Sequence, residues 1–227
     1  FTASGPGFFR VDNGTFEVAT ALTMNPLLEL AANGVLAGNS NLTCTSTLKW
    51  TGGIMQGAGK TIIAPGANLS VSGDGYNKFV FRAIDLRGNG TLSGATGLYG
   101  GFAAPFTIFA GSTFDILGDQ QMPHNAGNFA VIENFGSFRK TGGSAVSTVG
   151  FSLNNHGFVQ AAAGTLAFVA GGRSDGQFDA ANTGVVSFSG GTHTLTNAVS
   201  FTATGSGFFR VDNGTFEVAT ALTMNPL

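Results

Sequence analysis

The sequence predicts an all-β chain, and within that class a right-handed parallel β-helix, a three-faced β-solenoid of about 21 residues per coil that forms part of a longer continuous rod. Three observations carry this: a composition that disfavours helices, glycines that return every seventh residue, and a two-residue alternation of apolar side chains after those glycines.

Of 227 residues, 36 are Gly and 22 Phe, against one Trp, two Tyr and one Cys. Charged residues make up only 10%, where ordinary globular chains have about 25%. Each Gly costs a helix about 1 kcal/mol relative to Ala, whereas Thr, Val, Phe and Asn suit strands and turns. The balance of 10 basic and 12 acidic residues gives a net charge of -2 and a pI of about 5.8. Such a chain lacks the clustered Lys and Arg that nucleic acid or an anionic membrane requires. Its longest apolar runs, such as FAAPFTIFAG, fall short of the roughly 20 residues that span a bilayer, so no membrane insertion by this segment is expected. A single cysteine, Cys44, excludes an internal disulfide. The opening FTASGPGFFRV has no basic n-region, which places any signal peptide upstream in a parent chain.

Glycine recurs at seven-residue intervals at Gly52, Gly59, Gly66 and Gly73, and again at Gly136, Gly143, Gly150, Gly157, Gly164 and Gly171. A coiled coil also repeats every seven residues, but with Leu or Ile, and glycine at each heptad would melt it. After each glycine the pattern alternates: Gly164-Thr165-Leu166-Ala167-Phe168, Gly184-Val185-Val186-Ser187-Phe188, Gly207-Phe208-Phe209-Arg210-Val211, Gly214-Thr215-Phe216-Glu217-Val218. Second and fourth positions share the inward side of a strand, and Ser187, Arg210 and Glu217 take the other. A short strand and a tight corner every seven residues make one face of a prism, and three faces make a coil of about 21 residues. Asn13-Gly14 to Asn33-Gly34 and Asn134-x-Gly136 to Asn155-x-Gly157 repeat at close to that step, and stacked Asn side chains can hydrogen-bond between coils. An antiparallel sandwich also uses Asn-Gly turns, but its strands recur every 8 to 12 residues with irregular loops. Residues 74–89, with Asp74, Lys78, Arg82, Asp85 and Arg87, and residues 119–135 break the register. Both are expected to be loops at solenoid corners.

A longer repeat overlies the short one. Residues 201–227 copy residues 1–27 except at Ser4/Thr204 and Pro6/Ser206. The organisation expected is one tandem unit over 1–200 and the start of the next over 201–227, cut from a chain with many copies.

In LKWTGGIMQGAGKTIIAPGANLSVSG, IDLRGNGTLSG, ENFGSFRKTGG and NNHGFVQAAAGTLAFVAGG the chain resembles the Gly- and Asn-rich β-solenoid repeats of very large secreted bacterial surface proteins, including adhesin-like and autotransporter-like passengers. The resemblance implies an extracellular or cell-surface location and a stalk, filament, matrix or adhesive role. It carries no catalytic motif.

No residue is assigned catalysis, cofactor binding or metal ligation. Asp115 with Asp119, and Asp175 with Asp179, are the nearest to paired carboxylates, but four residues along a strand separates them by about 13 Å. They read as solvated surface acids, although β-helix polysaccharide lyases and hydrolases do assemble acids from stacked coils. His124, His156 and His193 lack metal-ligand spacing and read as surface or turn residues, and Cys44 has no His or Cys near it. Gly73-Asp74-Gly75 resembles part of a calcium-binding repeat that does not recur. Ser112 and Ser152 lack a nucleophile elbow, and Thr192-His193-Thr194 and Thr43-Cys44-Thr45 do not repeat as an ice-binding ladder would. The expected function is a structural repeat of an extracellular fibre, filament or stalk. Its expected partner is itself, end to end and laterally through outward apolar groups such as Phe8 and Phe158. An adhesin binding a cell surface or polysaccharide is the alternative, and would show a clustered aromatic and polar patch on one face. A polysaccharide-degrading enzyme would show stacked acids in a groove.

Overall fold

A computed structural model describes residues 2–3, 7–196 and 199–219. Ser4 and Pro6, where the two copies differ, and the end of the second copy, 220–227, lie outside the described residues.

Alternation and corner glycines produce 29 strands and no helix among the described residues, and the strands pair in parallel. They wind a three-faced solenoid of about ten turns. The first face is a ten-stranded sheet of Phe8–Val11, Leu27–Leu30, Thr47–Trp50, Asn68–Val71, Asn89–Leu92, Thr113–Ile116, Ser137–Lys140, Phe158–Ala161, Gln177–Ala180 and Ser200–Ala203. After each of these the chain lays one strand on the second face, beginning with Thr15–Glu17 and ending with Phe208–Val211. It then lays one on the third, from Leu22–Met24 to Thr215–Val218, with Thr2–Ala3 ahead of them. Two long strands, Gly53–Ile63 and Lys78–Leu86, run round the corner between the second and third faces and so join them in one 15-stranded sheet. The last four strands of the second face form a sheet of their own, bridged to the rest at Met122 and Val149.

Register confirms the coil length. Asn68 stacks on Asn89 and Ser137 on Phe158, each 21 residues on. The coils linking Asn89 to Thr113 and Thr113 to Ser137 take 24 residues instead. The second of these holds the longer spacing expected at 119–135, but the stretch is not one corner loop, since it carries the strands His124–Ala126 and Val131–Asn134.

Second- and fourth-position side chains point inward and stack coil upon coil into one continuous core. Leu28, Leu48 and Leu69 form such a column, as do Phe114 and Phe138, whose rings are 6.0 Å apart and 5° from parallel. The interior is packed at near-crystalline density, so ring size must be offset locally. Gly90 does this, since a Cβ there would lie 2.6 Å from the Phe114 ring.

The corner glycines have a different cause. A Cβ on Gly157 would sit 2.3 Å from the carbonyl oxygen of Gly136, and one on Gly176 would sit 2.4 Å from that of Gly157. Successive corners approach backbone to backbone, and only glycine fits. Beside this column runs the Asn ladder that the 21-residue step predicts. Buried Asn134 donates to Asn155 Oδ1 at 2.7 Å and to the Phe158 carbonyl at 3.0 Å, and Asn155 donates to the Gln177 carbonyl at 3.2 Å.

The loop expected to span 74–89 is absent. Within 74–89 the chain is a nine-residue strand from Lys78 to Leu86, not a corner loop, and Lys78, Arg82 and Asp85 are buried. Lys78 and Arg82 hold inward positions whose long side chains reach backbone carbonyls at the corners. Arg82 donates through Nη1 to the carbonyls of Gly38 (2.7 Å) and Gln56 (3.4 Å), and through Nη2 to those of Ser40 (2.6 Å) and Lys60 (3.1 Å). One guanidinium thereby ties together the corners of three successive coils. Lys78 Nζ bonds the Thr96 hydroxyl and the carbonyls of Gly73, Tyr76 and Thr96.

The duplicated segment supplies a finding that the sequence did not predict. FFRV lies on the first face as Phe8–Val11, paired with Leu27–Leu30, but on the second face as Phe208–Val211, paired with Val185–Phe188. Likewise Thr15–Glu17 is on the second face and Thr215–Val218 on the third. The inward parity is kept, with Phe9 packing on Phe16 and Phe209 on Phe201, ring centres about 5 Å apart in each pair.

Candidate functional surface

Stacked apolar side chains occupy the solenoid interior, so the charged and polar groups available for functional chemistry stand mostly at outward positions. On the first and third faces these carry charges that are matched between neighbouring coils. Arg10, Glu29 and Lys49 stand in one row, with Glu29 within 3.8 Å of Arg10 and 3.0 Å of Lys49. Further along the row Arg139 grips Asp115 through two hydrogen bonds of 2.7 Å, which holds the guanidinium pKa above its usual value. On the third face Asp85 lies between Lys60 (3.4 Å) and Arg87 (3.6 Å), and Arg87 sits 4.3 Å over the Phe109 ring.

The acids singled out in the sequence are each occupied from an adjacent coil. Asp119 accepts from buried Lys140 at 2.8 Å and from the Ala145 amide at 3.0 Å, and the Lys140 bond is the main cause of its lowered pKa. Asp175 meets His156 at 2.7 Å, while Asp179 accepts from Gln160 and Thr202 at 2.7 and 2.6 Å. Asp74 Oδ1 caps the Ala95 amide at 2.6 Å. The structure therefore brings neither Asp115 and Asp119 nor Asp175 and Asp179 together as a carboxylate pair.

His156 lies over Phe135 and exposed His124 over Phe129, with ring centres 4.9 and 4.5 Å apart. His193 departs from its expected surface position. It occupies an inward second position, 1% exposed, against Phe188 and Phe178, with Nε2 2.8 Å from Ser174 Oγ. Burial pushes its imidazole down to about 4. Cys44 is also inward, its thiol pushed up to about 12 by burial. Ser112 is buried, and Ser152 donates weakly to the Gly171 carbonyl. Ser187, expected outward beside Arg210 and Glu217, is covered by Arg210, whose Nε donates to its hydroxyl at 3.2 Å. Among the described residues no three His, Cys, Asp or Glu side chains come together as metal ligands would.

The second face differs. Lys78 and Val80 point inward, so Phe79 and Phe81 point out. Phe79 pairs in register with Tyr99 on the next coil, rings 5.4 Å apart, and Phe81 meets Phe102 edge-on at 4.9 Å. Phe102 is 61% exposed and, with Ala103, takes the left-handed backbone, φ 53° and 54°. A bulky residue in that region is strained by about 1–2 kcal/mol. The geometry holds its ring out beside Gly127, where a Cβ would come within 2.8 Å of it. Exposed Tyr76 extends the patch to a cleft of about 320 Å³ lined by Asn33, Asn77, Ile54, Phe79 and backbone of Ala32, Gly53 and Gly75. No charged side chain lines it. Composition could not separate these outward rings from core phenylalanines, and a Lys78 placed outward for its charge would turn Phe79 and Phe81 the wrong way, because only its burial fixes the strand parity.

Comparison of the chain with protein-family models, with curated proteins and with solved structures returns no match. None of the described residues forms a helix long and apolar enough to cross a membrane.

Proposed function

We propose that this chain is a structural repeat of an extracellular fibre, filament or stalk, a rod of tandem β-solenoid units that associates with other rods side by side and performs no catalysis. The observation that supports this most is the behaviour of the second copy. Residues 208–218 do not fold back as a cap but continue the stack, hydrogen-bonded in register on Val185–Phe188 and Thr192–Leu195. In a one-dimensional array each coil is stabilised by its neighbours, so such a junction lets length grow without a limit set by core size. Outward apolar groups such as Phe8, Phe102 and Phe135 give rods surfaces for lateral contact. Negative-stain images of a chain with several units should show thin rods that bundle; monodisperse single rods would overturn lateral association, and compact beads would overturn the rod.

The aromatic and amide-lined patch on the second face favours a second reading, an adhesive passenger for a cell surface or polysaccharide. Saturable binding of neutral glycans, lost on Tyr76→Ala with Phe79→Ala, would support it; no binding to any glycan or cell surface would count against it.

A further inference from the structure

Resting on the tandem-rod reading, we propose that consecutive 200-residue units are offset by one third of a coil, so that every surface feature moves to the next face from unit to unit. From Phe8 to Ser200 the chain completes nine coils, and Phe208 lies one face further. A unit therefore contains 28 faces, which is one more than a multiple of three. Two hundred residues over 28 faces is about seven per face, the glycine period itself. Identical sequence tolerates the change of face because all three faces obey one grammar: second and fourth positions in, first and third out. Phe9 and Val11 stack on Leu28 and Leu30, while Phe209 and Val211 stack on Val186 and Phe188.

The consequence concerns the partner, a second copy of the rod. The aromatic patch of Phe79, Tyr99 and Phe102 falls on the second face in one unit, the third in the next and the first in the one after. No face is aromatic along its whole length, and a neighbour lying on one face meets the patch once in three units. Three units span 28 coils, about 134 Å at 4.8 Å per coil. Rods can then be joined through all three faces, as a thick bundle needs, instead of pairing along a single one.

Paired cysteines test the offset in the chain as it stands, in a Cys44→Ala background. Thr194 neighbours Glu217 in register, with their side chains hydrogen-bonded at 2.9 Å. If the second copy instead kept the faces of the first, Glu217 would stand beside Ser187. Oxidative cross-linking of Thr194→Cys/Glu217→Cys should exceed that of Ser187→Cys/Glu217→Cys by about tenfold or more, because distant cysteines cannot bridge. Equal or reversed yields overturn the offset. Thr192→Cys/Thr215→Cys, also register partners, repeats the test should the first pair misfold. Small-angle scattering of a three-unit chain reads the rod separately: a rod profile with reversed cross-links sinks only the offset, and a profile of separate beads sinks the tandem-rod reading.

Discussion

Substituting one methyl group at a corner probes the reason for the seven-residue glycine period. In Gly157→Ala the new Cβ begins 2.3 Å from the Gly136 carbonyl oxygen, where real Cβ atoms essentially never come within 3.0 Å. Restoring even that distance moves the two coils apart by about 0.7 Å. Two backbone bonds join these coils at this corner: His156 to Asn134 and Phe158 to Gly136, each at 2.8 Å. Stretching them towards 3.5 Å removes about 1 kcal/mol each. Against this, alanine restricts the unfolded chain and returns about 0.4–1 kcal/mol. The net loss is about 1–1.5 kcal/mol. Gly75→Ala is the control, since its Cβ would meet nothing within 4 Å and its φ lies outside the left-handed region. Urea unfolding should show Gly157→Ala less stable by about 1–1.5 kcal/mol and Gly75→Ala within about 0.5 kcal/mol of the parent. Hydrogen exchange should accelerate selectively at His156 and Phe158. If the two variants are equally stable, close coil approach is not why glycine recurs.

Arg82→Ala should destabilise by about 3 kcal/mol, read by thermal or urea unfolding, because four carbonyls at the corners of the two preceding coils lose a charged donor at once; a change below about 0.5 kcal/mol would show the staple to be idle. His193 is neutral when folded, so its contribution is complete above its unfolded pKa of about 6.5 and is lost as pH falls from there towards 4, by about 3 kcal/mol. His193→Phe should therefore flatten the stability profile between pH 7 and 4, and an unchanged acid limb would contradict the buried position. Asn155→Ala breaks the ladder and leaves Asn134 short of an acceptor, costing about 2 kcal/mol in the same unfolding assay; a neutral result would dissolve the ladder. The Cys44 thiol, buried and pushed up to about 12, should resist a thiol reagent at pH 8 until the coils open; rapid labelling of the native chain would refute its inward placement.

What could be read in the sequence follows from where physical constraint is local. Corner glycines and alternating strands are dictated within seven residues, and stacked Asn134 and Asn155 repeat at one coil, so both pattern and period are visible. Charge is a misleading guide in KFVFRAIDL, because Arg82 is solvated by carbonyls 22 to 44 residues away and Lys78 by the Gly73 and Tyr76 carbonyls beside it together with Thr96, 18 residues on. His193 follows Gly191 by two positions, the inward parity, and the signal was present but overridden by the usual preference of histidine for the surface. The aromatic patch depends on rings from separate coils and on the strained turn at Phe102, none of which has a sequence signature. The change of face between the copies needs a count of every corner, including the long coils, and that only the fold provides.

Fibre diffraction from oriented material containing several tandem units tests the central claim most directly. A continuous stack of 28 faces per unit predicts a meridional reflection near 4.8 Å, from coils stacked along the fibre axis, and an axial rise of about 45 Å per 200 residues. Absence of the 4.8 Å meridional spacing, or a rise per unit far from 45 Å, would show that the units are separate domains and not one rod.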